Sequence, residues 1–272
     1  MKDVPGVARG GVRLFSEKTF DVLKCKKCGL VYSDTVLSEE GLKKFWANYE
    51  SEVHSADTEL TEQRKIMYRR DFDFIKPFIK PDSRVLDVGC GDGGFLDIFR
   101  EYGCICEGTE FGEEAYALAG KKYPMYFGEL SDIKFEKKYD AVLFRGTIQY
   151  LLKPKESLRK ATELLNNGGV IYIYMVNSSS ICFNLYKDKF RLPVTPMDYY
   201  MFNVTILNEF MESMDMQLIS KDMPYLGTPY ENWKKDVLEV ADAIRKSDDG
   251  EEVEKKSPPF FDTMINLLYR RL

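Results

Sequence analysis

The sequence predicts an α/β fold built on a mostly parallel sheet, and three observations carry that reading. From Arg84 onward, short apolar runs alternate with helix-periodic segments, the pattern of repeated strand–helix units. One run, residues 170–176, is apolar without interruption, as a strand covered on both faces should be. Residues 83–96, Ser-Arg-Val-Leu-Asp-Val-Gly-Cys-Gly-Asp-Gly-Gly-Phe-Leu, read as strand, glycine-dense turn and helix start. Small molecules bind at such corners, beyond the carboxyl end of a strand.

Two regions are expected: residues 1–56, weakly patterned, and residues 57–272, which hold the α/β repeat. Ser38 is placed to cap a helix reaching residue 52, with Leu42, Phe45, Trp46 and Tyr49 on one face. A longer helix is expected over 57–79, where Leu60, Met67, Phe74, Ile75 and Phe78 recur at helical spacing and Pro77 and Pro81 punctuate the end. The first strand of the sheet is the apolar run 85–88, interrupted by the carboxylate of Asp87. Helices then follow over 95–102 and 113–122, and strands over 104–109, 125–127 and 141–144. Pro154 suits a helix N-terminus, and Asn166-Asn167-Gly168-Gly169 stops that helix before the strand 170–176. Residues 177–201 form a long irregular stretch over the carboxyl end of the sheet, a place where ordered loops are usually functional. A helix (204–214), a strand (217–223), an amphipathic helix (230–246), a charged linker (247–256) and a last strand (260–269) complete the chain.

With 272 residues, 44% of them apolar, the chain is long enough for one large core with an appendage. A formal charge of −5, with acids and bases interleaved, argues against a nucleic-acid backbone as the main partner. No run approaches the ~20 apolar residues of a membrane span, and residues 1–19 lack the apolar centre of a secretory signal. The six cysteines show no disulfide-scaffold density, so a reducing cytoplasm is the expected compartment.

Gly89, Gly91 and Gly94 satisfy G-x-G-x-x-G, a pattern shared with dinucleotide sites. Asp87 argues against a dinucleotide, because a carboxylate there sits badly near a pyrophosphate and well near a cationic ligand. The order V-L-D-V-G-C-G-D-G-G resembles the first motif of class I S-adenosylmethionine-dependent methyltransferases. Three further segments resemble that family in the same order: C-E-G-T-E-F-G at 106–112, Y-D-A-V-L-F-R-G-T-I-Q-Y-L-L at 139–152 and L-L-N-N-G-G-V-I-Y-I-Y at 164–174. The resemblance spans residues 60–225. It implies a Rossmann-like, seven-stranded, mostly parallel sheet with an antiparallel last strand, capped by a small α-rich N-terminal region. It also implies methyl transfer from S-adenosylmethionine.

Carried over residue by residue, the resemblance places the cofactor on Asp87, Gly89, Cys90 and Gly91, with Glu110 on the ribose hydroxyls. Phe95 and Phe111 flank it, Glu129 and Leu130 hold the adenine, and Arg145 and Gly146 border it after the fourth strand. Arg145 either holds an acidic or phosphorylated acceptor bidentately or pairs with a loop acid. Many relatives carry His where this chain has Tyr150; the only histidine here is His54, so a histidine base from this motif is excluded. Tyr150 and Asp198 are the catalytic candidates. Tyr199, Tyr200, Tyr225 and Tyr230 are read as an acceptor wall, suited to a sugar or nucleotide-sugar hydroxyl.

Cys25-x-x-Cys28-Gly resembles one knuckle of the zinc ribbon that some bacterial sugar methyltransferases carry. Residues 3–11 contain no partner cysteines, so no metal is expected. Two other functions stay open at this stage: a nicotinamide-dependent oxidoreductase and a non-catalytic S-adenosylmethionine-binding protein.

Overall fold

A computed structural model of the chain describes residues 4–5, 19–20, 22–47, 58–192 and 197–271. His54, Tyr49 and the residues beyond 47 of the first expected helix lie outside them. β1 (Val4–Pro5) pairs antiparallel with β2 (Thr19–Phe20). β3 (Val22–Lys24) and β4 (Val31–Ser33) form a hairpin around the Cys25–Cys28 turn. α1 (Glu39–Trp46) starts where expected, with the Ser38 hydroxyl accepting from Gly41 N. α2 (Thr58–Ile75) tightens into a 3₁₀ turn at Lys76–Phe78, where Pro77 ends the regular hydrogen-bond ladder.

Strand and helix then alternate: β5 (Arg84–Val88), α3 (Gly94–Glu101), β6 (Ile105–Glu110), α4 (Glu113–Ala119), β7 (Met125–Phe127), β8 (Tyr139–Arg145), α5 (Pro154–Leu164) and β9 (Leu165–Val176). After β9 come α6 (Ile181–Tyr186), β10 (Tyr200–Met201), α7 (Val204–Glu212), β11 (Met216–Asp222), α8 (Trp233–Asp248) and β12 (Met264–Arg271). Seven strands form the main sheet in the order β11-β12-β9-β8-β5-β6-β7. β12 runs antiparallel to both neighbours and the other pairings are parallel.

Side chains alternate across this sheet, and both faces are dry. Leu86, Val142, Phe144, Ile171 and Ile173 pack on α5 and α7 through Leu158, Leu164, Leu207 and Met211. Val85, Ala141, Leu143, Val170 and Tyr172 pack on α2 and α3 through Phe72, Ile75, Leu96 and Phe99. Each such aliphatic or aromatic side chain contributes about 1.5–3 kcal/mol relative to exposure. This two-sided core holds the carboxyl ends of β5, β6, β8 and β9 side by side, and the site is built on them.

Three elements differ from expectation. β9 begins at Leu165 rather than after Gly169, because Leu165 already pairs with Tyr139 before the register shifts at the Asn-Gly segment. The stretch 177–201 is not wholly irregular: Ser180 Oγ caps α6 by accepting from Phe183 N, and β10 adds to the N-terminal hairpin. The N-terminal region, expected to be α-rich, holds among its described residues the β1–β2 pair, the β3–β4 hairpin and α1. In the three-stranded sheet β10-β4-β3, Tyr200 pairs with Tyr32 and Met201 with Val31, which ties the N-terminal region to the wall of the site.

Candidate active site

The corner between β5 and β6 is fixed by backbone geometry. Gly89 has φ 69°, and a Cβ there would stand 2.7 Å from Thr147 Cγ2, so the turn tolerates only glycine at this point. Gly89 N and Cys90 N both donate to Thr109 O, at 2.9 and 3.1 Å. The Cys90 thiol points away into the interior. It lies 3.9 Å from Met125 Sδ, and Gly108 opposite leaves room for it, since a Cβ there would come within 2.6 Å of the sulfur. Burial, reinforced by the Asp87 and Glu110 charges, pushes that thiol well above the usual range. Cys90 therefore presents backbone, not sulfur, to the cavity.

Glu110, at the end of β6, clasps the turn. One oxygen accepts from Gly91 N at 2.9 Å, the other from Phe111 N at 2.7 Å and Gly112 N at 2.9 Å. Asp87 is 2% exposed, and its Oδ1 has no hydrogen-bond partner. Burial pushes its carboxyl up to about 8; the Arg145 charge opposes this and the Glu110 charge adds to it. A buried carboxylate without a partner is costly on its own and asks for a cation or a donor.

A cavity of about 360 Å³ opens over these groups. It brings together Asp87, Gly89, Cys90, Gly91, Phe95, Glu110, Phe111, Glu129, Leu130, Arg145, Gly146, Tyr150, Asp198 and Tyr200. Glu129 Oε1 accepts from Lys153 N at 2.8 Å, and burial raises its carboxyl above the usual range. Leu130 is fully buried and packs with the α5–α7 core.

The other three expected wall tyrosines do not line the cavity. Tyr199 is buried among Leu42, Phe45 and Met197. Tyr225 donates to Asp236 Oδ2 at 2.5 Å with its ring on Phe261. Tyr230 lies under the Arg191 guanidinium at 5.6 Å. Each ring is engaged in tertiary packing away from the cavity, and of the four only Tyr200 lines the site.

Arg145 is held by a helix acid, not a loop acid. Its Nε donates to Asp71 Oδ2 of α2 at 2.8 Å, and its guanidinium lies over Tyr68 at 4.3 Å and Tyr174 at 4.9 Å. Asp71 also accepts from Asn266 Nδ2, whose oxygen accepts from the Tyr172 hydroxyl at 2.8 Å. Asp71, Tyr68 and Gln149 belong to the site's surroundings without having been singled out as site residues in the sequence. So do Leu42 and Trp46 of α1, which line the cavity; the Trp46 ring meets Tyr150 edge-on at 5.5 Å.

Cys25 and Cys28 sit on a tight knuckle. Cys25 N donates to Leu30 O and Gly29 N to Cys25 O, and the Cys28 and Lys27 amides lower the Cys25 thiol. Among the described residues, no group of three or more His, Cys, Asp or Glu is placed to hold a metal.

Residues 60–221 match a family described as a methyltransferase domain. The chain belongs to this methyltransferase-domain family. It is 30% identical over 109 residues to the dTDP-3-amino-3,4,6-trideoxy-alpha-D-glucopyranose N,N-dimethyltransferase of Streptomyces venezuelae, covering 37% of this chain and 46% of that one. It is 25% identical over 130 residues to an uncharacterised protein of Methanocaldococcus jannaschii, covering 47% and 61%. The chain thus spans between about half and three fifths of these curated relatives. Among solved structures, a 1,6-didemethyltoxoflavin-N1-methyltransferase of Burkholderia thailandensis shares the fold with a TM-score of 0.56 at 14% identity, over 92% of this chain and 99% of that one. A SAM-dependent methyltransferase of Archaeoglobus fulgidus does so at 0.54 and 16%, over 76% and 94%.

S-adenosylmethionine is the cofactor of this methyltransferase family, and the residues here fit it. The partnerless Asp87 oxygen matches a cationic ligand, and Glu110, whose oxygens already take three backbone N–H groups, braces the turn that would hold it. Glu110→Ala is expected to weaken binding of S-adenosylhomocysteine by roughly 1.5–3 kcal/mol, about tenfold to a hundredfold, because hydrogen bonds to a charged acceptor are lost. Calorimetry measures it; an unchanged affinity would remove Glu110 from the site.

Proposed function

We propose that this chain transfers the methyl group of S-adenosylmethionine to a small-molecule acceptor. The observation that carries the reading is Asp87: a buried, partnerless carboxylate beside a glycine turn whose other edge is held by Glu110. The same carboxylate disfavours a pyrophosphate at Gly89 and hence a nicotinamide dinucleotide. When bound, the cofactor supplies a methyl carbon activated by its sulfonium, so alignment does much of the catalysis. The chain's part is to hold it on Asp87, the turn and Glu110, and to present an acceptor from the side of Tyr150 and Asp198. Asp198 is 8% exposed and reaches the cavity, a suitable place to take the nucleophile's proton.

The sugar or nucleotide-sugar hydroxyl expected from the sequence, in glycan or secondary-metabolite biosynthesis, has limited support, since the Streptomyces relative is named for methylating an amino nitrogen of a nucleotide-sugar and not a hydroxyl. The aromatic wall adds little to it, with only Tyr200 of the four tyrosines in the cavity. A cytoplasmic enzyme fits the six free cysteines, and no helix among the described residues is long and apolar enough to cross a membrane.

The test begins with binding of S-adenosylhomocysteine against NAD. It continues with incubation of the purified chain and S-adenosylmethionine with a metabolite extract. A mass-spectrometric product heavier by one methylene, formed in step with S-adenosylhomocysteine, is expected; binding without turnover would instead support the non-catalytic reading. With that product in hand, Tyr150→Phe should leave cofactor affinity nearly intact, since the ring and its Trp46 contact remain. Asp198→Asn should lower turnover by roughly tenfold to a thousandfold if the carboxylate takes the proton. Parent-like turnover in both variants would show that the proton leaves by another route.

A further inference from the structure

Beyond the carboxyl ends of β8 and β9 the cavity is walled by Val176, Phe183, Phe190, Leu192, Met201 and Met264. Phe183, Phe190 and Met201 are buried and pack with one another in a single cluster. These side chains offer nothing to pair with the several hydroxyls of a sugar, and a buried unpaired hydroxyl is unfavourable. Flat or flexible apolar groups of this kind match an aromatic body instead.

Charge points the same way. The acids among the described lining residues are Asp87, Asp92, Glu110, Glu129 and Asp198. The cations among the described lining residues are Arg64 and Arg145, and Arg145 is ion-paired with Asp71. A phosphate-bearing or carboxylate-bearing acceptor would bring further negative charge into an acidic, partly desolvated space.

One polar side chain at the junction of the two ends is uncommitted. Gln149 is 9% exposed, and its side-chain oxygen has no hydrogen-bond partner. Its main-chain oxygen accepts from Tyr199 N at 2.9 Å, which sets it beside Asp198. An amide and a carboxylate together suit an N–H or O–H nucleophile: one orients it and the other takes its proton.

We propose that the acceptor is an aromatic amine or phenol without negative charge. Its ring lies against Phe183, Phe190, Met201 and Met264, and its N–H or O–H meets Gln149 and Asp198. The proposal rests on the methyl-transfer reading. In the transfer, the new C–N or C–O bond forms as the C–S bond breaks. The electron pair of that bond stays on sulfur, giving S-adenosylhomocysteine, and the nucleophile's proton passes to Asp198 and on to water.

Calorimetry on the full chain loaded with S-adenosylhomocysteine tests it with four probes: 2-naphthol, 6-aminoquinoline, 2-naphthoate and dTDP-glucose. The two neutral rings are expected to bind at least roughly tenfold more tightly than the two anions. Gln149→Leu should weaken the neutral probes by about tenfold, the loss of one hydrogen bond, without changing S-adenosylhomocysteine affinity. Gln149→Glu, which keeps an accepting oxygen at that point, should restore most of it. Equal or tighter binding of dTDP-glucose or 2-naphthoate would overturn the proposal, as would no binding of either neutral probe to the loaded chain. Failure of S-adenosylhomocysteine itself to bind would overturn the methyl-transfer reading and this one with it.

Discussion

Asp87→Asn is expected to weaken S-adenosylmethionine binding by about 2–4 kcal/mol, the usual cost of removing one partner of a buried charge pair. The reason lies in where the carboxylate sits. It is 2% exposed, one oxygen has no partner, and burial raises it to about 8. Without ligand, the folded chain therefore keeps a proton on Asp87 that the unfolded chain loses near pH 4. The folded state binds the extra proton between those two values, so stability falls as the pH rises from about 4 to about 8. A cationic ligand needs the ionised form. Its affinity should rise with pH through that same window, and near neutrality binding should release close to one proton. Calorimetry in buffers of different ionisation enthalpy reads that proton directly. In Asp87→Asn the release should vanish, and the chain without ligand should lose this part of its pH-dependent instability. An affinity that stays flat from pH 6 to about 8.5 in the parent chain would show that Asp87 is not the group the cofactor ionises.

The features legible in the sequence were those whose chemistry is local. A run of five residues and a glycine turn marked Asp87, Gly89 and Gly91 as one corner of the sheet, and the family resemblance added Glu110 at the end of the next strand. The seven-stranded, mostly parallel sheet with an antiparallel last strand followed from the strand–helix alternation together with the family resemblance, whereas the strand order came from the structure. What sequence pattern missed depends on distant partners. Asp71 looks like one acid among the mixed charges of a helix face, yet it holds Arg145 from 74 residues away. Tyr199, Tyr225 and Tyr230 look like an aromatic wall because the sequence pattern does not reveal the contacts of Tyr199 with Leu42 and Phe45, of Tyr225 with Asp236 and Phe261, or of Tyr230 with Arg191. The hairpin β3–β4 and strand β10 are two or three residues long, too short for any periodicity to emerge.

Asp71→Ala is expected to cost about 3–5 kcal/mol of stability, a large share of the 5–15 typical of a domain. Asp71 is fully buried, and burial pushes its carboxyl above the usual range in spite of the guanidinium beside it. Removing it strands Arg145, whose side chain is 16% exposed, and frees Asn266 Nδ2 as well. Urea unfolding should show a lower midpoint with an unchanged slope. Arg145→Met should be less than additive with Asp71→Asn, because each single change leaves a buried group unpaired and the double change does not. The same arginine also acts on the site, since its charge opposes the upward shift of Asp87. Arg145→Met combined with Asp71→Asn keeps the core neutral and should move the pH midpoint of cofactor binding upward from about 8. A midpoint that stays in place or falls would mean that Arg145 braces the fold through Asp71 without setting the charge of Asp87. A rise would show that the helix packed behind the sheet sets the proton balance of the carboxylate in front of it.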